Sequence, residues 1–433
     1  MSSPPREARG ASPASEDGAA EARFQGQVRR FLPRNYAAHL VHGLLGQTGF
    51  RLVHAPTFVP DYVYLLSGSD LAVGLARSLQ SLGMFLSPIL GATAIEHRRR
   101  VLGVGFLVGG LMRVQLLGLA LVGFFLSGLP ALVAVCGLLG LFGFFLGMQG
   151  VVFNFLISKV IPVERRGRLV GLRHALSGVT AAAVGLLGGR MVEVSFLGNG
   201  HAATFGVAFL LTSLGLASLA AMREPASPRV RTAVGVGRRL GELPALLRRD
   251  PEFTRYFLAR ALGSAGRMST PFYVIYARTQ TPIGGHELGV LTLAFTLALS
   301  VTNLLWGALA DRSGFRMVFL AALGVWILAA LLLMSAHGLL ALSLVMAGLG
   351  AGQGGFMMAA QNLVLEFGSR EDLPLRIAVA NSASELVTAL ALACAGLLVS
   401  LVGYEPLFWT QIGLQAAAIA WVATGVSEPR NRS

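Results

Sequence analysis

From about residue 37 onward the chain alternates long apolar runs with short polar ones. The apolar runs cover roughly 37–64, 71–92, 101–124, 130–157, 169–190, 203–221, 254–277, 288–306, 317–334, 338–365, 376–401 and 406–424. Most approach or exceed the roughly 20 residues that cross a hydrocarbon core of ~30 Å at ~1.5 Å per residue, so each reads as a transmembrane helix. The pattern predicts an all-α integral membrane protein of about twelve spans, with both termini on one side because the count is even. The longest internal polar segment, 223–252, divides the spans six and six. The expected organisation is a tail over 1–35, a six-helix bundle over 36–222, a linker over 223–252, a second six-helix bundle over 253–425 and a short tail over 426–433. Residues 1–35 are rich in Ser, Pro, Ala, Glu and Arg without an apolar core, which predicts a disordered cytoplasmic tail rather than a signal peptide.

Charge gives the spans an orientation. Arg98, Arg99 and Arg100, then Arg165, Arg166 and Arg168, then Arg238, Arg239, Arg248 and Arg249, and finally Arg312, Arg316 and Arg370 fall on the face that also carries both termini. The segments Ser67 to Asp70, Ser127 to Pro130 and Ser335 to Gly338, on the other face, are nearly free of basic residues. The positive-inside rule makes the first face cytoplasmic, and a bacterial inner membrane is the expected location. The net charge of +14 therefore serves topology, and nucleic acid is not an expected partner.

Charged residues make up 13% of the chain against ~25% in a soluble domain, and the mean hydropathy is +0.66, which excludes an ordinary soluble fold. Lys159 is the single lysine and suggests nothing by itself. Cys136 and Cys394 lie in separate spans without metal-ligand neighbours, so neither a metal nor another cofactor is expected. There is no phosphate-binding G-x-x-x-x-G-K-[ST] loop, which argues against ATP as a direct energy source. Nor does a nucleophile, base and oxyanion constellation point to an enzyme.

The two halves echo one another. Gly307 to Arg316 reads GALADRSGFR, and 216 residues earlier Gly91 to Arg100 keeps the glycine, an acid and the basic end. Gly46, Gly49 and Pro56 in span 1 align with Gly263, Gly266 and Pro271 in span 7, at offsets of 217 and 215. Val179-Thr180 in span 5 aligns with Val387-Thr388 in span 11, at an offset of 208. The spacing Gly307, Asp311, Arg312, Gly314, Arg316 fits G-x-x-x-D-R-x-G-x-R, which resembles the signature loop of the major facilitator superfamily. That resemblance implies two pseudo-symmetric six-helix bundles, a central cavity lined by spans 1, 4, 7 and 10 with 2, 5, 8 and 11 beside them, and alternating access by rocking. The loop residues, with Gly91 and Arg100, read either as a charge relay that latches one gating state or as a topological anchor.

Polar side chains inside spans are the best functional pointers, since an arginine at a helix midplane costs about 2.5–3.5 kcal/mol on insertion scales and turns toward a bundle interior or wet cavity. Arg51 and Arg267 lie near the centres of spans 1 and 7, related by the repeat. Facing one cavity, they suit a carboxylate or phosphate, or each is neutralised by a carboxylate such as Glu385. Their placement is similar to that of the organophosphate and anion exchangers of the superfamily. Glu385, about ten residues into span 11, is the leading proton-coupling residue, with a fixed ion pair as its other reading. His54, one turn from Arg51, is a second titratable residue.

Gln149, Gln353, Gln361, Asn362 and Asn381 can hydrogen-bond a solute or a helix. Tyr273, Tyr276 and Trp306 can stack on a substrate or pack in the core. Arg113 reads as structural, while Glu366 and Asp61 sit near span ends as gate or solvated residues.

Drug/proton antiporters of the superfamily usually carry an arginine three residues before a Gln-Gly pair in span 4. Here the pair is Gln149-Gly150 and the earlier position is Leu146. Their G-x-x-x-G-P-x-x-G-G in span 5 is reduced to Gly188-Gly189, and no sugar-porter signature is present. The favoured function is a secondary transporter, working as a monomer, of a small organic and preferably anionic solute, with protons or a counter-transported anion as coupling partner. Two other functions fit the sequence: proton-coupled efflux of amphipathic or cationic compounds, and a non-transporting membrane sensor or scaffold with the same fold.

Overall fold

The computed structural model describes residues 13–228, 247–364 and 373–425, with isolated positions between 229 and 246. Glu366, Arg238, Arg239, Arg370 and the tail 426–433 lie outside the described residues. The described chain is helical throughout. Spans 2 to 6 are Asp70–Ile95, Leu102–Phe125, Gly128–Val160, Val163–Glu193 and Gly200–Ser218, and spans 10 to 12 are Gly338–Leu363, Leu373–Val402 and Tyr404–Gly425.

Spans 1 and 7 are each broken. Span 1 runs as Pro13–His54 and then Phe58–Ser67, parted at Pro56. Span 7 runs as Pro251–Ala265, a tight turn Gly266–Ser269, and Phe272–Gln280, parted at Pro271. Proline removes a helical N–H and its ring clashes with the preceding turn, so the repeat-related prolines interrupt both helices at matching depths. These breaks explain why only nine helices are individually long and apolar enough to cross a membrane among the described residues. One of the nine, Gly285–Leu333, holds spans 8 and 9, and the two broken spans complete the twelve.

Spans 8 and 9 meet at Gly314, whose φ of 81° and ψ of 166° suit glycine alone. The GALADRSGFR stretch is therefore mostly a helical extension of span 8, with the change of direction concentrated at Gly314 rather than spread through a sharp loop. Gly307 stands in open space, whereas Gly91 lies in a close helix contact, because a Cβ there would fall 2.9 Å from the Met148 carbonyl of span 4. Asp311 and Arg312 are exposed at the end of span 8, and Arg100 is exposed after span 2. Arg316 donates to the Ala423 carbonyl (2.9 Å) at the C-terminal end of span 12, where unpaired carbonyls attract a cation.

Composition assigns residues 1–35 to a disordered tail, but residues 13–35 continue the first helix. Ala, Glu, Arg and Gln there favour helix, and Gln25 donates to Glu21 one turn away (2.8 Å). Val28 is buried, and Asn35 exchanges two hydrogen bonds with the Arg223 backbone (2.8 and 2.9 Å), fastening the extension to the segment after span 6. A segment too polar to enter lipid is thus ordered by packing on the bundle's basic end.

The internal repeat reappears as bonds. Thr48 of span 1 bonds Thr180 of span 5 (2.5 Å), and Thr388 of span 11 donates to the Ser264 carbonyl of span 7 (3.3 Å). These pairs are related by the offsets 216 (264 − 48) and 208 (388 − 180).

The two bundles meet on the half of the protein away from the basic face. Backbones of spans 5 and 8 touch, since a Cβ on Gly189 would fall 2.4 Å from the Gly285 carbonyl. Spans 2 and 11 touch where Gly74 meets Gly396. Thr57 bonds Thr292 (2.7 Å), Ser78 donates to the Ala389 carbonyl (2.7 Å), and Tyr404 donates to Asp70 (2.8 Å). Asp61 accepts from Arg278 of the other bundle at 2.5 Å and from His201 of its own at 2.9 Å, with no exposed surface on its side chain. It is buried between the bundles, not a solvated span end. These contacts close the face opposite the basic turns.

The Asp61–Arg278 pair generates a prediction. Breaking a buried ion pair costs about 3–5 kcal/mol, and each 1.4 kcal/mol lost from the closed state shifts its balance with the open state tenfold. In protein with Cys136→Ser and Cys394→Ser, spin labels at Ser67→Cys and Gln280→Cys should give a longer, broader distance distribution once Asp61→Asn is added. An unchanged distribution would remove the pair as a latch.

Candidate functional site

The two helix breaks place polar side chains at mid-membrane depth between the bundles. Arg51 sits on the last turn before the span 1 break, and Arg267 lies within the span 7 break. Arg267 donates to Glu385 of span 11 at 3.0 Å and to Thr388 at 3.4 Å. Its side chain is 33% exposed and that of Glu385 16%. Glu385 therefore does neutralise one of the two arginines, while its second oxygen, Oε2, is buried without a partner.

Arg51 is different. Its one hydrogen bond is a long contact to the Thr296 carbonyl of span 8 (3.4 Å), and no carboxylate lies within ion-pair distance among the described residues.

His54 completes the floor. It is exposed to solvent although it stands at the inner end of a span, and it lies within electrostatic reach of Arg51, Arg77 and Arg267. Arg77, on span 2, donates to Gln80 (2.7 Å) and to the Val53 and His54 carbonyls (3.3 Å each), so it supports the backbone freed by the Pro56 break. Arg77 and Arg267 also interact electrostatically. The result is a solvent-reached crevice floor with three guanidiniums and one carboxylate, drawn from both bundles.

Other expected site residues are placed elsewhere or already engaged. Tyr273 is 1% exposed and turns away from the crevice, bonding Gln411 of span 12 (3.4 Å) with its ring edge-on to Phe408. Its position just after the break directs it into the core, so it does not stack on a crevice solute. Tyr276 packs on Tyr404 and Phe408, and Trp306 donates to the Ala351 carbonyl (3.0 Å). Gln353 donates to Thr270 (2.8 Å), bracing span 10 against the span 7 break. Asn381 accepts from Arg260 (2.6 Å), which uses its amide oxygen within the bundle. Gln149 is buried, with Oε1 unpartnered. Arg113 is structural as expected, donating to the Thr212 and Gly109 carbonyls (2.6 Å each) with Phe50 beneath its guanidinium.

Sequence reasoning passed over Arg77, Arg173 and Arg260, although each lies in an apolar run and the rule that selected Arg51 applies equally to them. It also passed over Lys159. That residue pairs with Glu224 at 2.6 Å, both side chains 3% exposed, and donates to the Arg99 carbonyl (2.6 Å). Glu224 in turn accepts from the backbone N–H groups of Val101 and Leu102 at the start of span 3. The pair ties the 2–3 turn, the end of span 4 and the segment after span 6 together. In the second half, Asp250 caps span 7 and pairs with Arg376 (2.5 Å). Burial alone would raise the Asp250 carboxyl, but the Phe253 N–H and Arg376 outweigh it and hold it below its usual range.

A twelve-span helical protein with pseudo-symmetric halves, two broken inner helices and a polar crevice between them has the architecture of the major facilitator superfamily. The sequence supports this in the C-terminal half: the Major Facilitator Superfamily family model matches residues 256–433. No curated protein matches the chain in sequence. Among solved structures, a mutant of the nucleoside transporter NupG aligns with a TM-score of 0.70 at 13% identity, over 90% of this chain and 99% of that one. A D-xylose-proton symporter aligns with a TM-score of 0.71 at 12% identity, over 92% and 99%. NupG itself aligns at 0.64 and 13%, over 89% and 97%. At these identities the likeness concerns the fold.

The buried Lys159–Glu224 pair sets a stability prediction. Removing one partner of such a pair costs about 3–5 kcal/mol. Glu224→Ala should lower the thermal unfolding midpoint in detergent markedly, whereas Glu193→Ala, which loses an exposed i,i+3 pair with Arg190, should shift it by at most a degree or two. Equal small shifts would show that the clamp contributes little.

Proposed function

We propose that this protein is a secondary transporter of a small organic anion, working by alternating access as a single chain in a bacterial inner membrane with the basic face in the cytoplasm. The observation that carries the reading is the crevice floor: Arg51, Arg77 and Arg267, from both bundles, gather within electrostatic reach of His54, and only Arg267 is paired with a carboxylate, Glu385. Three fixed cations with one carboxylate favour a carboxylate or phosphate ligand. Arg51, with one long carbonyl contact, keeps most of its five N–H donors for that ligand. The family match, the transporter folds it resembles and the closed opposite face support the same reading.

Glu385 gives the anion a route to proton coupling. An anion that engages Arg267 competes with Glu385 for the same guanidinium. A carboxylate displaced from its arginine in a low-dielectric site is costly, and a proton on Glu385 offsets that cost. One proton would then accompany one added negative charge. Without the proton, Glu385 and the incoming anion compete, and the cycle favours exchange. Efflux of cationic compounds is the less favoured reading, since its cargo would meet a net positive floor.

In folded protein, Arg51→Gln combined with Arg267→Gln should weaken binding of the transported anion at least tenfold, read by calorimetry. Glu385→Gln should retain anion binding and exchange in proteoliposomes while losing accumulation driven by a pH gradient. Full gradient-driven uptake by Glu385→Gln would remove it as the coupling residue, and unchanged affinity in the arginine variant would overturn the anion site.

A further inference from the structure

Each half of the protein buries an arginine between its first and fifth spans, and the two are treated oppositely. In the second half, Arg260 of span 7 donates to Ser384 (2.9 Å), to Asn381 (2.6 Å) and to the Ala360 carbonyl (3.0 Å). In the first half the arginine comes from the other helix. Arg173 of span 5 stands 208 residues before Asn381 and lies against Gly43 of span 1, where a Cβ would fall 2.0 Å from Arg173 Nε. Arg173 is 8% exposed, makes no hydrogen bond or ion pair among the described residues, and its Nε is buried without a partner.

Its neighbours are also unsatisfied. His39 is fully buried and His42 is 5% exposed, and all four of their ring nitrogens lack partners. Both lie within electrostatic reach of Arg173, and His42 also of Arg113. His42 stacks on Phe153 of span 4, ring centres 4.6 Å apart, which fixes its plane. No carboxylate pairs with any of these groups among the described residues. A buried guanidinium with an unmet donor beside two imidazoles, each with an unpartnered N–H and an unpartnered acceptor nitrogen, forms an incomplete set, and an anion with several acceptor oxygens satisfies its guanidinium and imidazole N–H groups.

The geometry points to a second anion station inside the N-terminal bundle, in which Arg173, His39 and His42 hold a small oxyanion of the phosphate type. It is separate from the crevice floor. His42 and Arg51 are nine residues apart on one helix (51 − 42), about 13 Å along its axis at ~1.5 Å per residue, with His42 nearer the basic face. The exposed His174 lies within electrostatic reach of both Arg173 and Arg51 and connects the two positions. An oxyanion entering from the basic face meets Arg173 before Arg51. Gly43 provides the room for the Arg173 side chain, since any side chain there would displace it. Arg260, whose position corresponds to Gly43 in the repeat, has three protein acceptors and forms no such station.

The test uses full-length protein in nanodiscs carrying Arg51→Gln and Arg267→Gln, so that the result does not depend on the central site. Inorganic phosphate is titrated at constant ionic strength against chloride, with thermal stabilisation and calorimetry as readouts. The station predicts saturable phosphate binding in this background, a loss of at least tenfold in affinity on adding Arg173→Gln, and a weaker loss on adding His42→Phe, which keeps the stack on Phe153. If Arg173→Gln does not fold, His42→Phe decides the matter alone. Absence of saturable binding in the parent variant, or binding that both substitutions leave unchanged, would overturn the proposal.

Discussion

The structure depends on one constraint: a guanidinium inside a membrane must find acceptors, because hydrocarbon supplies none. Almost every arginine within the spans is placed by this rule. Arg77 takes the carbonyls freed by the Pro56 break, Arg113 takes two carbonyls and a phenyl face, and Arg260 takes a hydroxyl, an amide and a carbonyl. Arg267 takes Glu385. These pairings lock helix to helix within each bundle, so much of the fold's specificity resides in polar contacts against an apolar background. Arg51 and Arg173 are the departures from the rule. A departure that costs free energy in the resting protein is where a ligand gains most by binding.

Between the bundles the logic changes. The opposite face is closed by glycine-on-glycine contact and short hydroxyl bonds, with one buried ion pair, Asp61–Arg278, at its outer end. Each half is fastened within itself by an ion pair, Lys159–Glu224 in one and Asp250–Arg376 in the other.

The sequence made the span count, the repeat and the central arginines legible. Hydropathy measures transfer into lipid directly, and the prolines and glycines that break or crowd helices are visible as letters. Arg51, Arg267, His54 and Glu385 are legible as candidates because a polar residue in an apolar run stands out. Tyr273 was misplaced because a break in its own helix turned it toward span 12, and no periodicity crosses a break intact. The partners of Lys159 and Asp61 were invisible because they lie 65 (224 − 159) and 217 (278 − 61) residues away. The helix over 13–35 was missed because polarity rules out a membrane span without ruling out a surface helix. The loop reading of GALADRSGFR failed for a similar reason: its residues tolerate helix, and only the conformation at Gly314 shows where the chain turns.

The central claim is that the crevice floor recognises negative charge, and a ligand-stabilisation screen tests it most directly. Purified protein in nanodiscs would be heated with matched panels of organic anions, cations and neutral solutes. A ligand present at 100 times its Kd stabilises the state it binds by about 2.7 kcal/mol, enough to move an unfolding midpoint measurably. The account predicts stabilisation by carboxylates or phosphates and not by their cationic or neutral counterparts. Stabilisation by lipophilic cations or neutral compounds, with the anions inert, would contradict it.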